Sequence, residues 1–251
     1  MKRIFYFGVR LMQWGVRLFQ GWYAYGMTYV EYAAQARHEG VRVRVRLLPK
    51  VTDRFPDAHT FDAHYVYMSR WAFAAITKAL PLQHVDVGSL ISFVAMLSTR
   101  VPVTYVDLRP PQGQFSDVTF MTGDVTALPF ADGSITSLSC LHVVEHVGLG
   151  RYGDVIDVHG TERAIVELGR VLAPGGTLYL ALPVGREAVY FNAHRVTSPR
   201  RVCELLPGLK LLSWAGVDDA GAFHDSANLD AYAKAQYACG MYIFKKVTVH
   251  A

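Results

Sequence analysis

Apolar positions along this 251-residue chain follow two rhythms. The first is helical. Tyr65, Met68, Ala72, Ala75 and Ile76 recur at three- and four-residue steps and predict a helix over residues 64–80. Ala164, Ile165, Leu168, Val171 and Leu172 do the same for Thr161–Val171, with Thr161 as the expected N-cap and Glu162 in the first turn. Leu90–Leu97 reads as a shorter helix. The second rhythm is the continuous apolar run of a strand covered on both faces. It appears ahead of Asp86, over Val103–Asp107, Val118–Met121, Ser134–Leu141 and Thr177–Leu182. Ala173-Pro-Gly-Gly176 is a tight turn into the last of these. Lys210–Ala215 and Tyr242–Val249 are also strand-like, with polar, partly helical Gly216–Gln236 between them. Strands and helices alternating at this spacing predict a mostly parallel α/β sheet.

The first sixty residues keep a different pattern. Arg3, Arg10 and Arg17 recur every seven residues and would form one stripe on a helix that is otherwise apolar and aromatic. The arginines interrupt it too often for a membrane span, and no signal-peptide core is evident. Residues 1–25 are therefore expected to lie at a membrane surface or to pack on the domain or a second subunit. Val41-Arg-Val-Arg-Val-Arg46 alternates as a strand with a basic face, and Pro49–Pro56 reads as a linker. The division expected is a basic, aromatic extension over 1–60 and one α/β domain over 61–251.

Charge follows the same division. Residues 1–50 hold nine Lys/Arg and two Asp/Glu; the rest hold sixteen and nineteen. The basic segment contains no recognisable nucleic-acid module, so nucleic acid is not the expected partner. Half the residues are apolar, which excludes a disordered chain. Cys140, Cys203 and Cys239 are odd in number and far apart, which points to a reducing, cytoplasmic setting, peripheral to a membrane's inner face if the arm binds lipid. No Cys/His spacing suits zinc, and no metal is expected.

The chemistry starts at Asp86-Val-Gly88-Ser89. A strand ends there in a glycine, a helix follows, and a second strand ends in Asp107. This is the front half of a nucleotide-binding βαβ unit. Gly88 admits a ligand close to the backbone, and Asp107 sits where a carboxylate accepts two ribose hydroxyls. A dinucleotide fingerprint wants further glycines, but Leu90 and Phe93 stand there, which disfavours a nicotinamide-dependent oxidoreductase. A cofactor without phosphates, S-adenosylmethionine (SAM), needs less backbone clearance.

Asp86-x-Gly88, Asp107, Gly123-Asp124, the Leu141-His-Val-Val-Glu-His146 run and Leu172-Ala-Pro-Gly-Gly176 stand in the order of the class I SAM-dependent methyltransferases, which residues 62–247 resemble. The likeness extends to a little-characterised subgroup through His84-Val-Asp-Val-Gly-Ser89, Gly148-Leu-Gly-Arg-Tyr-Gly-Asp154 and Phe191-Asn-Ala-His-Arg195. It implies a Rossmann-like, seven-stranded, mostly parallel sheet with helices on both faces and an antiparallel last strand. It also implies SAM as cofactor. Gly88 would line its methionine part, Asp86 and Ser89 beside it would belong to the same cofactor site, and Asp107 would hold its ribose. Asp124 and the Val125 amide would meet the adenine, with Leu141 and His142 flanking the pocket.

The acceptor side falls to loops at the strand ends. Glu145–His159 and Asn192-Ala-His194-Arg195 are the richest. Methyl transfer to an alcohol benefits from a base, for which His194 or His146, beside Glu145, is the candidate. Arg151 or Arg195 could clamp an anionic group, with Tyr152, Asp154 and Asn192 in the same segments. The expected activity is O-methylation of a small-molecule or glycan-linked acceptor; the alternative is a fold that has lost catalysis and serves as a binding or scaffold protein.

Overall fold

The computed structural model describes residues 2–38, 61–152, 154–191 and 193–248. The anticipated strand at Val41–Arg46, the linker at Pro49–Pro56 and Asn192 lie outside the described residues. The chain divides into two units with the boundary between Phe61 and Asp62. The first contains α1, Lys2–His38, one continuous helix on which Met12, Trp14, Phe19 and Trp22 are exposed. Among the described residues no helix is long and apolar enough to cross a membrane.

The second unit opens on α2 (Ala63–Ala79), one residue off the expected span. Asp62 caps it by accepting the Tyr65 amide. Then come β1 (His84–Val87), α3 (Ile91–Ser98), β2 (Val103–Asp107), β3 (Val118–Thr122) and β4 (Ile135–Leu141). α4 (Gly160–Val171) leads to β5 (Leu172–Val184), and a short hairpin, β6 (Ala188–Tyr190) with β7 (His194–Val196), leads to α5 (Pro199–Glu204). β8 (Leu209–Val217), β9 (Phe223–His224) and β10 (Ala238–Lys246) close the chain.

Eight strands form one sheet in the order β3-β2-β1-β4-β5-β10-β8-β9. The first five lie parallel, and β10 runs antiparallel between β5 and β8. The architecture is the anticipated one with one strand more than the seven expected: two-residue β9 extends the β8 edge. β5 starts five residues earlier than Thr177. The Pro-Gly-Gly turn is a bulge within the strand, where the register against β4 slips between Ile135 and Ser137. Thr161 does not cap α4. His159 takes the cap position without a side-chain bond, and the Thr161 hydroxyl donates instead to the Val144 carbonyl.

Period-two alternation gives each face of the sheet its own core. Leu178, Leu180, Leu182, Tyr242 and Phe244 pack with α4 residues Ala164, Ile165 and Leu168. Tyr179, Ala181, Cys239 and Met241 pack with Met68, Trp71 and Ile76 of α2 and Phe93, Val94 and Leu97 of α3. This topology fixes where chemistry can occur. The order reverses between β1 and β4, so the loops leaving the carboxyl ends of these strands diverge and leave a crevice. Because β10 is antiparallel, its start (Ala238, Cys239) pairs with the end of β5 (Val184, Pro183) and lies at the same rim.

Candidate functional site

Gly88 leaves β1 with φ +67°, a left-handed conformation that suits glycine. A Cβ there would come within 3.0 Å of the Val143 side chain, so the first turn lies against the β4 loop. The Gly88 amide donates to the Val106 carbonyl at 2.9 Å, which sets the turn directly beside Asp107. The Tyr105 hydroxyl lies 3.2 Å from the Ser89 carbonyl and 3.1 Å from Asp107 Oδ2, sharing its one proton between turn and carboxylate. The Arg109 amide donates to Asp107 Oδ1 at 2.8 Å. Half-buried Asp107 is thus aimed from two sides and keeps acceptor capacity on both oxygens. Asp124 is exposed; its Oδ1 accepts the Thr126 amide and hydroxyl, holding the turn that carries buried Val125.

Asp86 and Ser89 are buried and engaged within the protein. Asp86 accepts the Ser89 amide and hydroxyl and the Ser139 hydroxyl, and Ser89 Oγ accepts the Leu141 amide. These bonds tie β1 to β4 and shape the glycine turn from beneath. They continue a relay that the sequence did not reveal. His84 meets Ser137 Oγ and Ser139 Oγ, each at 2.8 Å. Since Ser139 donates to Asp86, the consistent tautomer has His84 Nε2–H donating to Ser139 and Nδ1 accepting from Ser137.

Burial lowers the His84 pKa to about 3 and raises that of Asp86 to about 6, with the serine bonds opposing the latter shift. The unfolded chain therefore protonates His84 as pH falls through the ordinary 6.5, while the folded chain does not until about 3. Stability from this residue is lost across that window as pH falls. Asp86 acts in the opposite sense, with the folded form taking its proton first below about 6. A non-titrating His84→Gln variant is expected to lose less stability than the parent between about pH 7 and pH 4, by about 3 kcal/mol. Denaturant titration at the two pH values reads the difference; equal losses would remove His84 from the acid response.

The acceptor side forms around Glu145. It stands in a 3-10 turn over Val144–His146, fully buried, with Oε1 2.7 Å from His142 Nδ1 and 3.8 Å from His146 Nε2. His142 has a left-handed φ of 56°, and its Nε2 lies 3.3 Å from Cys239 Sγ. Burial disfavours the His142 cation, yet the Glu145 carboxylate and Cys239 outweigh it and bring its pKa up to about 10. Burial likewise opposes ionised Glu145, but His142 overrides it and holds the carboxyl below its usual range. His64 and Tyr65, from the first turn of α2, place their rings 5.3 and 5.1 Å from His142. Tyr237 stacks on His64 at 4.8 Å and lies 4.6 Å from the His194 ring. Burial lowers the His194 pKa and so favours its neutral form. His64, Tyr65, Tyr237 and Cys239 were invisible as site residues, because only α2 and antiparallel β10 bring them here.

The other candidates have structural occupations. His146 Nδ1 lies 2.6 Å from the Ala193 carbonyl, to which Arg151 also donates. The Arg151 guanidinium sits 5.2 Å above the exposed Tyr152 ring. Asp154 accepts the amides of Gly148, Gly150 and Tyr152 and closes the loop on itself. Burial would raise its pKa, but these amides hold it below the usual carboxylate range. Arg195 turns inward: it donates to the Val147 and Asp157 carbonyls and the Thr161 hydroxyl. Its donors hold the β4 loop rather than facing an acceptor.

Known proteins agree with this frame. Residues 132–247 match the family model described as Caenorhabditis protein of unknown function, DUF268. An uncharacterized methyltransferase of Mycolicibacterium gilvum is 29% identical over 142 residues, 53% of this chain and 51% of that protein. The demethylmenaquinone methyltransferase of Thermus thermophilus is 31% identical over 157 residues, 56% of this chain and 66% of that protein. The chain thus spans about half to two thirds of the curated relatives it matches. Both relatives carry methyltransferase names, and this chain is similar to them over those segments. Its fold is that of the Burkholderia thailandensis 1,6-didemethyltoxoflavin-N1-methyltransferase, solved with its namesake ligand and S-adenosylhomocysteine (TM-score 0.53, 14% identity, 90% of each chain covered). Within this fold, the Gly88–Asp107 crevice and the Glu145 cluster occupy the carboxyl-end rim of one sheet.

Proposed function

We propose that the chain binds SAM at Gly88, Asp107 and Asp124 and catalyses methyl transfer to an acceptor oxygen near His194. The observation that carries this reading is the Tyr105 hydroxyl, which links the glycine turn and the Asp107 carboxylate in one hydrogen-bonded unit. The residues suit the cofactor. Gly88 is only partly buried at the crevice, Asp107 retains acceptor capacity for ribose hydroxyls, and exposed Leu108 beside it offers an apolar surface to a base. Bound there, SAM supplies an electrophilic methyl carbon. The protein's part is to align the acceptor and accept its proton. Neutral His194, held between Tyr190 and Tyr237, is the base we assign; Glu145 and His146 order the loop facing it. A small-molecule or glycan-linked hydroxyl is the acceptor class we favour. Exposed Trp14, Phe19 and Trp22 support residues 1–25 as an arm for a membrane surface or a second copy.

Calorimetry tests the cofactor reading. SAM and S-adenosylhomocysteine are expected to bind, and NAD is not. Asp107→Ala should weaken SAM by about 1–3 kcal/mol, roughly ten- to hundredfold. Absence of SAM binding would favour the scaffold alternative, and unchanged affinity in Asp107→Ala would remove that carboxylate from the site.

A further inference from the structure

Three side chains far apart in sequence meet beneath the acceptor cluster: His64 from α2, His142 from the end of β4 and Cys239 from the start of β10. One ligand-type atom from each lies within 4.8 Å of the other two. All three residues are buried, with Cys239 fully so and His64 9% exposed. His64 Nδ1 has no hydrogen-bond partner in this buried place. An orphaned buried ring nitrogen beside a thiol and a second imidazole is costly unless something there accepts its lone pair. We propose that His64, His142 and Cys239 bind a divalent transition-metal ion of zinc's class.

The donor chemistry selects that class. Two imidazoles and a thiolate suit zinc and its neighbours and do not suit magnesium or calcium. His142 already has the outer arrangement of a metal-bound histidine. Its Nδ1 faces the Glu145 carboxylate at 2.7 Å, which turns Nε2 toward Cys239 Sγ at 3.3 Å. Tetrahedral zinc needs nitrogen–nitrogen and nitrogen–sulfur separations of about 3.3–3.6 Å, so the pair needs only a few tenths of an ångström of adjustment and His64 closes by about 1 Å. The Cys239 thiolate and Glu145 carboxylate would balance the ion's two positive charges. With three protein ligands, the fourth position stays open to water or an acceptor heteroatom, as in catalytic rather than structural zinc sites. Sequence spacing conceals the site, because its ligands come from three separate elements.

The proposal does not rest on SAM binding and is tested without it. The chelator-treated full-length chain is titrated with cobalt(II), then competed with zinc. One cobalt per chain is expected, with the near-ultraviolet thiolate-to-cobalt charge-transfer band and the intense visible bands of a tetrahedral site. Cys239→Ser should abolish the charge-transfer band, whereas Cys140→Ser and Cys203→Ser should keep it. Glu145→Gln should weaken cobalt and zinc roughly ten- to hundredfold, as loss of an outer-shell carboxylate does. His64→Ala, checked for folding by circular dichroism, should weaken both metals at least as much. No stoichiometric uptake by the parent, a thiolate band that survives Cys239→Ser, or unchanged affinity in folded His64→Ala would each overturn the site. SAM calorimetry on the same samples reports separately, so failure of one reading leaves the other standing.

Discussion

Gly148→Ala is expected to destabilise the protein by about 2–5 kcal/mol. Gly148 has φ +76°, where a side chain is strained. A Cβ would also fall 2.2 Å from the Asp157 carbonyl oxygen and 2.8 Å from Asp157 Cβ. The backbone cannot easily retreat. The Gly148 amide donates to Asp154 Oδ2 at 2.7 Å, and its carbonyl accepts the Asp157 amide at 3.0 Å. These bonds pinch the base of the loop that carries Arg151 and Tyr152. Denaturant unfolding reads the loss; a variant as stable as the parent would show that the pinch is dispensable.

Arg195→Met should cost about 3 kcal/mol, while keeping much of the side chain's apolar stem. The guanidinium bridges the Val147 carbonyl, the Thr161 hydroxyl (3.2 Å) and the Asp157 carbonyl (2.8 Å). Removing it orphans acceptors that are partly shielded from water. The same variant separates two roles for this residue. A structural clamp lowers stability with SAM affinity intact, whereas a substrate clamp would leave stability unchanged. Because the Asp157 segment serves both Gly148 and Arg195, the two substitutions together should fall short of their sum.

The frame of this domain is legible because local and global preferences agree. β1, β2 and β4 are buried along nearly their whole length, and their closely spaced apolar residues mark them despite interleaved His84, Thr104, Ser137 and Ser139. α4 is amphipathic, and its spacing shows which side faces the sheet. Details were lost where three-dimensional partners override local signals. Thr161 looked like a cap, but the Val144 carbonyl claims its hydroxyl. His194 and Arg195 read as loop residues, whereas they belong to the second strand of a hairpin. Arg195 read as a clamp for an anionic group because its actual partners, two carbonyls and the Thr161 hydroxyl, lie 34 to 48 residues away. The place of Asp107 beside the glycine turn was legible since it follows from its strand end. His64, Tyr237 and Cys239 were not, since their proximity depends on β10 running antiparallel and on where α2 begins.

That reversed strand also constrains how the molecule can be made. β10 supplies the neighbour on both sides, to β5 and to β8, through an eight-residue register with each. While a nascent chain has emerged only through β8, that strand has no partner on its inner side. Completion of the sheet, and with it delivery of Tyr237 and Cys239 to the rim, must wait for residues 238–246 to be synthesised. Such long-range closure is a slow step that leaves apolar edges open to other chains.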